Sequence, residues 1–244
     1  MNLFFRSRIP DRTSLTIEGK PVEITVRVSA RARSYRLTMP HHGAPVLTVP
    51  QHGRWREAED FLTRHTGWLA QRLRRAAPQT RFAEGEMVPL RGVPHRIVAT
   101  GRLRGRVELA EDNGEPVLLV PGDAAHHARR LSDWLKSEAQ RDLVARSEVH
   151  ARTLGVELKS VAMRSQATRW GSCSSAGRLN YNWRLILAPP FVLDYVAAHE
   201  VAHLVHMNHS PAFWKTVAKA LPDMERGKSW LKANGKQLMG YGLG

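Results

Sequence analysis

The sequence predicts an α+β protein with its strands mainly in the first half and its helices mainly in the second. Apolar residues alternate with polar ones over much of residues 13–120, the period of a half-buried strand. From residue 121 onward they mostly recur every three to four positions, the period of a helix with one buried face. A third observation points to chemistry: the stretch HEVAHLVHMNH, residues 199–209, holds four of the twelve histidines. The expected division is a β-rich region over residues 1–121, carrying one amphipathic helix, and a second region over 122–244. A chain of 244 residues is long enough for one large domain or two small ones, each with its own core.

The strands come first. Leu15 and Ile17, then Val22, Ile24, Val26 and Val28, occupy alternate positions around a turn at Glu18, Gly19 and Lys20. A second hairpin is expected over 34–50, turning at 40–43. Residues 54–76 switch to helical spacing, with Ala58, Phe61, Leu62, Trp68, Leu69 and Leu73 on one stripe and arginines opposite. Short strands return over 87–120. Asp123 is a helix N-cap, and Gly155 can close the same helix in a left-handed conformation. A strand pair over 156–163 and 178–187 follows, joined through a turn at 174–177. Pro189 and Pro190 begin a helix over about 190–206, because proline fits the first turn. Ser210 and Pro211 begin the next, through Phe213, Trp214 and Val217, and the tail GYGLG is expected to fray. No internal repeat is visible.

Charge and cysteine content narrow the setting. The net charge of +15, from 37 Lys+Arg against 22 Asp+Glu, attracts polyanions and also suits a merely soluble surface. Cys173 is the single cysteine, which rules out an intrachain disulfide. No apolar run approaches the roughly 20 residues that cross a bilayer, so no membrane partner is expected. Leu3, Phe4 and Phe5 are too few for the core of a signal peptide, which predicts a cytoplasmic protein.

The histidine stretch has metal-ligand spacing. His199 and His203 lie four residues apart, so a helix puts them on one face, where both can reach one ion. Glu200 between them can hold a water without taking a coordination position; this is the HExxH pattern. His209 is the natural third ligand, just past the expected helix end, and Asn208 tolerates the left-handed backbone of such a turn. The plain alternative is a histidine-rich helix at a wet surface. His206 also faces roughly this side; it could support the ligands, contact substrate, close the site as a fourth ligand, or simply favour the negative end of the helix. Cys173 reads best as a small residue in a turn, and Trp170, Trp183 and Trp214 as packing.

Residues 164–214 strongly resemble the YgjP-like metal-dependent hydrolases, relatives of the SprT-like zinc metallopeptidases. The matching pieces are Arg169-Trp170-Gly171-Ser172-Cys173, Asn182-Trp183-Arg184-Leu185, His199-Glu200 with His203 and His209, and Phe213-Trp214. The resemblance is looser upstream. It implies a zincin-like domain: an active-site helix on a small sheet, with an edge strand beside the metal, by position 178–187, that pairs with an extended substrate. It also implies one zinc ion per chain on His199, His203 and His209, with Glu200 as general base. The spacing fits the metzincin pattern too, except that His206 stands where that pattern needs glycine, which argues against a metzincin.

The expected activity is therefore a zinc metallohydrolase, foremost a metallopeptidase acting on a polypeptide. Arg164, Arg169, Tyr181, Asn182 and His206 are the candidates for contacting substrate or stabilising its oxyanion. The first alternative is a nucleoside-triphosphate pyrophosphatase with the same zinc site, a nucleotide substrate, and Arg164, Arg169 and Arg184 on the phosphates. The second is a nucleic-acid-binding protein with a basic surface and a structural metal.

Overall fold

The computed structural model describes residues 9–40, 43–75, 80–166 and 169–242. Its elements divide between two compact units, residues 1–76 and 77–244. The expected boundary near 121 falls inside the second unit. The reason is packing: Val88, Leu90, Ile97, Leu118 and Val120, from the later strands, share one core with Leu131, Leu135, Leu185 and Val196.

The first unit is a four-stranded sheet backed by two helices. Strands β1 (Arg12–Ile17) and β2 (Lys20–Ser29) form the expected hairpin. β3 (Arg36–Thr38) pairs antiparallel with β4 (Val46–Pro50), while the turn residues 41 and 42 lie outside the described residues. β2 and β4 pair in parallel, giving the order β1-β2-β4-β3. One face carries Ile17, Ile24, Val26, Leu37, Leu47 and Val49 onto Ala58, Leu62 and Leu69 of the helices. The expected single helix is two, α1 (Trp55–Arg64) and α2 (Thr66–Arg75). At the break the His65 amide bonds the Leu62 carbonyl, its ring takes the Phe61 carbonyl, and the Thr66 hydroxyl takes Leu62 and Thr63.

The second unit opens with β5 (Met87–Leu90), β6 (Val93–Ala99), β7 (Glu108–Asp112) and β8 (Glu115–Val120), in the order β5-β6-β8-β7. The outer pairs are antiparallel and the central pair parallel, as in the first sheet. So the fold repeats a topology where no repeat is expected from the sequence. Helix α3 (Ala124–Leu154) runs between the expected caps: Asp123 accepts from the Ala125 amide, and Gly155 is left-handed.

The last sheet differs from the expected strand pair. β9 (Ser160–Arg164) pairs in parallel, not as a hairpin, with β11 (Arg178–Asn182). The short β10 (Gly171–Cys173) pairs antiparallel with the other side of β11. The order β10-β11-β9 makes β11 central, so the strand expected at the edge over 178–187 is not there; β10 is the edge that meets the histidine helix. Residues Trp183–Leu187 are a buried 3-10 segment, started by the Asn182 side chain accepting from the Arg184 amide.

Helix α4 (Pro190–Ala202) starts at the expected proline and ends four residues before 206. α5 (Pro211–Ala220) is capped by Ser210 as expected. α6 (Met224–Leu238), which periodicity did not reveal, packs on α4. The chain after it does not simply fray. Thr80 donates to the Gly240 carbonyl and accepts from Gly242, and Arg184 Nε donates to Tyr241; residues 243–244 lie outside the described residues. Among the described residues no helix is long and apolar enough to cross a membrane.

Candidate metal centre

The site sits where α4 ends. Pro190 starts the helix, and Val192, Leu193, Val196, Ala197 and Val201 bury its body, which fixes the phase of the last turn. His199 and Glu200 lie in that turn and His203 is its C-cap. Leu204 then bonds Val201, Val205 bonds Ala202, and His206 also bonds Ala202. The chain therefore reverses through ordinary right-handed turns. Asn208 takes no left-handed conformation; instead its Oδ1 accepts from the Ser210 amide. This explains how a histidine can stand at 206, where a glycine-dependent turn would exclude it.

The reversal brings His209 back to the helix. Its Nε2 lies 3.1 Å from His199 Nε2. One ligand atom from each of His199, His203 and His209 falls within 4.8 Å of the others. His206 is not in this group. Its carbonyl accepts from His203 Nδ1 at 3.0 Å, which leaves His203 Nε2 as the free lone pair. The rings rest on Phe213, fully buried, with centroids at 4.9, 4.5 and 4.9 Å from His199, His203 and His209. The Ser210 cap places Phe213, so one hydroxyl both starts α5 and builds the floor of the site.

The electrostatics suit a cation. Burial first, then the charges of His203, His209 and Lys228, lower His199 to a pKa of about 4, so its ring is neutral near pH 7. His199 Nδ1 is buried without a hydrogen-bond partner. Three imidazoles with two Nε2 atoms 3.1 Å apart match a zinc ion held at about 2.0–2.1 Å from each nitrogen. The donor set therefore fits the metal.

Glu200 lies under the site, 6% exposed. Burial raises it to a pKa of about 8, while Arg169 pulls the other way. Its side chain lies against the backbone of Gly171 in β10. A Cβ built on Gly171 would stand 2.4 Å from Glu200 Oε1 and 2.6 Å from its Cδ. Any side chain at 171 would have to displace the carboxylate. A glycine inside a strand is the sequence signal for such close approach.

The other candidates separate. Tyr181 is buried with its hydroxyl on Ser147, and burial pushes that phenol far up. Asn182 is also buried; its amide holds the Gln166 and Arg169 carbonyls. Arg164 is exposed and donates to Asn180. Arg169 is exposed and its charge reaches Glu200. Arg184, expected on phosphates, is 2% exposed, stacks on Trp183 and donates to the Tyr241 carbonyl, so it does not face solvent. Cys173 is half-buried, bonded to the Ser174 carbonyl, and raised to about 11 by burial and then by Glu200. That is a poor thiolate, and Cys173 is outside the ligand group. Trp183 is core, Trp170 packs against Gly235, and Trp214 lies beside His199 and His209 with Lys228 Nζ 4.6 Å above it. Periodicity missed Lys228 together with α6.

No curated protein matches this chain. The crystal structure of the metallopeptidase zymogen of Pyrococcus abyssi abylysin matches over 37% of this chain and 90% of that one, at 24% identity and a TM-score of 0.34. The family model described as YgjP-like, metallopeptidase domain, matches residues 33–234, which runs from just before the third strand of the first unit into α6. The chain belongs to the YgjP-like family of metallopeptidase domains.

Proposed function

We propose that this chain is a zinc-dependent metallopeptidase with one zinc ion on His199, His203 and His209. The observation that carries the reading is the convergence of three imidazoles around one point, with the Glu200 carboxylate on the adjacent residue of the same helix turn. Zinc bound there would supply a Lewis acid that polarises the substrate carbonyl and acidifies a water. Glu200, kept ionised there by the cation's charge, would accept a proton from the attacking water as its oxygen joins the amide carbon and the carbonyl electron pair moves onto oxygen. The same carboxyl then gives the proton to the amide nitrogen as the C–N bond breaks. Gly171 holds Glu200 in place for both transfers. Arg169, exposed and two residues ahead of β10, is the candidate cation for the developing oxyanion. The backbone edge of β10 supports an extended polypeptide beside the site.

The test combines metal analysis with hydrolysis of an unfolded protein substrate. Wild type should carry one zinc per chain and cut the substrate. Glu200→Gln should keep the metal and lose at least about 10²-fold in rate. His209→Ala should lose the metal. A Glu200→Gln protein with an unchanged rate would overturn the assignment of the base. Glu200-dependent pyrophosphate release from nucleoside triphosphates, without proteolysis, would overturn the peptidase reading in favour of a nucleotide hydrolase.

A further inference from the structure

The first unit carries a basic surface that the metal centre does not use. Between Glu23 and Glu57 the sequence has six arginines and no acidic residue. The sheet sorts them. Leu37, Leu47, Val26 and Val49 point into the core, so Arg36, Thr48 and Arg27, next to them in sequence, point the other way. Arg27 and Arg36 both pair with Thr48 in register. They therefore form one cross-strand row with the hydroxyl of Thr48 between two guanidinium groups, the arginines two strand spacings or roughly 10 Å apart at Cα. Arg31 and Arg33 lie in the connection from β2 to β3, at the same end of the sheet, and all four are exposed.

The second sheet is an internal control. Its outward arginine, Arg96, is held by Asp112 at 2.8 Å and Glu115 at 3.5 Å. Arg27 and Arg36 have no acidic partner among the described residues; the nearby Glu23 is taken by Arg12. Among the described residues, one topology thus neutralises its outward arginine in one copy, and in the other neutralises Arg12 but leaves Arg27 and Arg36 without an acidic partner.

We propose that the open face of the first sheet binds the phosphodiester backbone of double-stranded nucleic acid, through Arg27 and Arg36 across Thr48, with Arg31 and Arg33 beside them. Guanidinium groups and hydroxyls are the donors that meet phosphate oxygens. The strands present no aromatic side chain on this face, so it offers no stacking platform for single-stranded bases. Binding is therefore independent of sequence and strongly dependent on salt. The proposal does not rest on the peptidase reading.

The experiment measures binding of the full chain to a duplex of about 30 base pairs across a salt series, with zinc content and proteolysis read on the same samples. Wild type should bind, with log K falling linearly against log salt. Arg27→Ala/Arg36→Ala should reduce that slope by roughly 2 and weaken binding at least about tenfold, with zinc and proteolysis unchanged. Arg104→Ala/Arg106→Ala removes the same charge from the exposed connection between β6 and β7, and should leave the slope nearly as it was. Equal losses from the two double variants would show a diffuse charge effect and overturn the proposal. So would absence of duplex binding by wild type, tighter binding of single strands, or stronger binding to phosphatidylserine vesicles than to the duplex.

Discussion

The turn at Glu18 and Gly19 and the turn at Arg91 and Gly92 have nearly the same backbone, with φ of 51° and 76° in one and 51° and 81° in the other. Both join antiparallel strands, and both sheets continue through a parallel central pair to a second hairpin. Their surroundings differ. Nothing lies within 4 Å of a Cβ built on Gly19, whereas one built on Gly92 stands 3.0 Å from Pro189, the N-cap of α4. The Arg91 and Gly92 amides bond the Ile186 and Leu187 carbonyls, and the Arg91 side chain bonds Glu138 and Asp142 of α3. The second sheet is thus a bracket for the histidine helix, and the first has open space around its turn glycine and exposed arginines on its outward face. One topology serves two purposes because the residues at its turn and on its outward face differ, not its hydrogen bonding.

The largest test of this comparison is in the cores. Ile24 and Ile97 are buried on the central strands of the two sheets, at 0% and 1% exposure. Truncation of either to alanine should cost about 3 kcal/mol. Ile97→Ala should also weaken zinc retention, because Ile97 shares a core with Leu185, Leu187 and Val196, which position α4. Ile24→Ala should leave zinc retention unchanged. Equal effects on zinc, measured by chelator competition on folded samples, would break the comparison.

The next test uses polar groups. All the buried polar and charged side chains among the described residues lie in the second unit. Asp194 of α4 accepts from Arg146 and His150 of α3 at 2.6 Å each. Burial alone would raise its carboxyl; the bonds from His150 and Arg146 outweigh it and hold the pKa below the ordinary carboxylate value. Its stabilisation is therefore complete above the ordinary value and is lost as pH falls through the lowered one. Asp194→Asn should cost about 2 kcal/mol near neutral pH, and the gap from wild type should close in acid. A gap that widens in acid, seen by denaturant titration, would reverse the assigned sign.

Local signals were readable in the sequence, and partners distant in the chain were not. The caps at Asp123, Gly155 and Ser210 and the helix start at Pro190 stand where the sequence puts them, because each is decided by a few neighbouring residues. The shared face of His199 and His203 was readable for the same reason, since a spacing of four needs only a helix. The parallel pairing of β9 with β11 was not, because parallel partners have no shared turn to announce them. β10 has three residues, too few for a period, so the sequence points to β11 as the edge. Helix α6 was hidden by Gly227 and Gly235, which weaken a helical pattern. They are there for contact: a Cβ on Gly227 would stand 2.4 Å from that of Tyr195, and one on Gly235 would stand 3.1 Å from Trp170. The repeated topology left only faint traces, a Gly-x-Pro-x-x-Ile at 19–24 and 92–97 and a Val-Pro at 49–50 and 120–121.

The two turn glycines give a smaller and sharper test. Alanine at either position takes a left-handed conformation, at a cost of about 1 kcal/mol. At Gly19 that should be the whole effect. At Gly92 the new methyl also presses on Pro189, so the loss should reach about 2 kcal/mol. Equal costs for Gly19→Ala and Gly92→Ala, measured by denaturant titration, would mean that the second turn is no more constrained than the first.

The smallest effect is on the outward faces. Arg96 meets Asp112 and Glu115 across the surface of the second sheet, and both acids are largely solvated. Exposed pairs gain little, because water screens the attraction and long side chains lose freedom. Arg96→Ala should therefore lower the thermal midpoint only slightly at low salt, and not at all at high salt. Arg27→Ala/Arg36→Ala should leave the midpoint where it is at every salt concentration, since both side chains are exposed and neither has an acidic partner among the described residues. A clear fall in the double variant would mean that Arg27 and Arg36 hold the first unit together. Their place on the open face would then be a matter of stability, and the contrast between the two sheets would narrow to their turns.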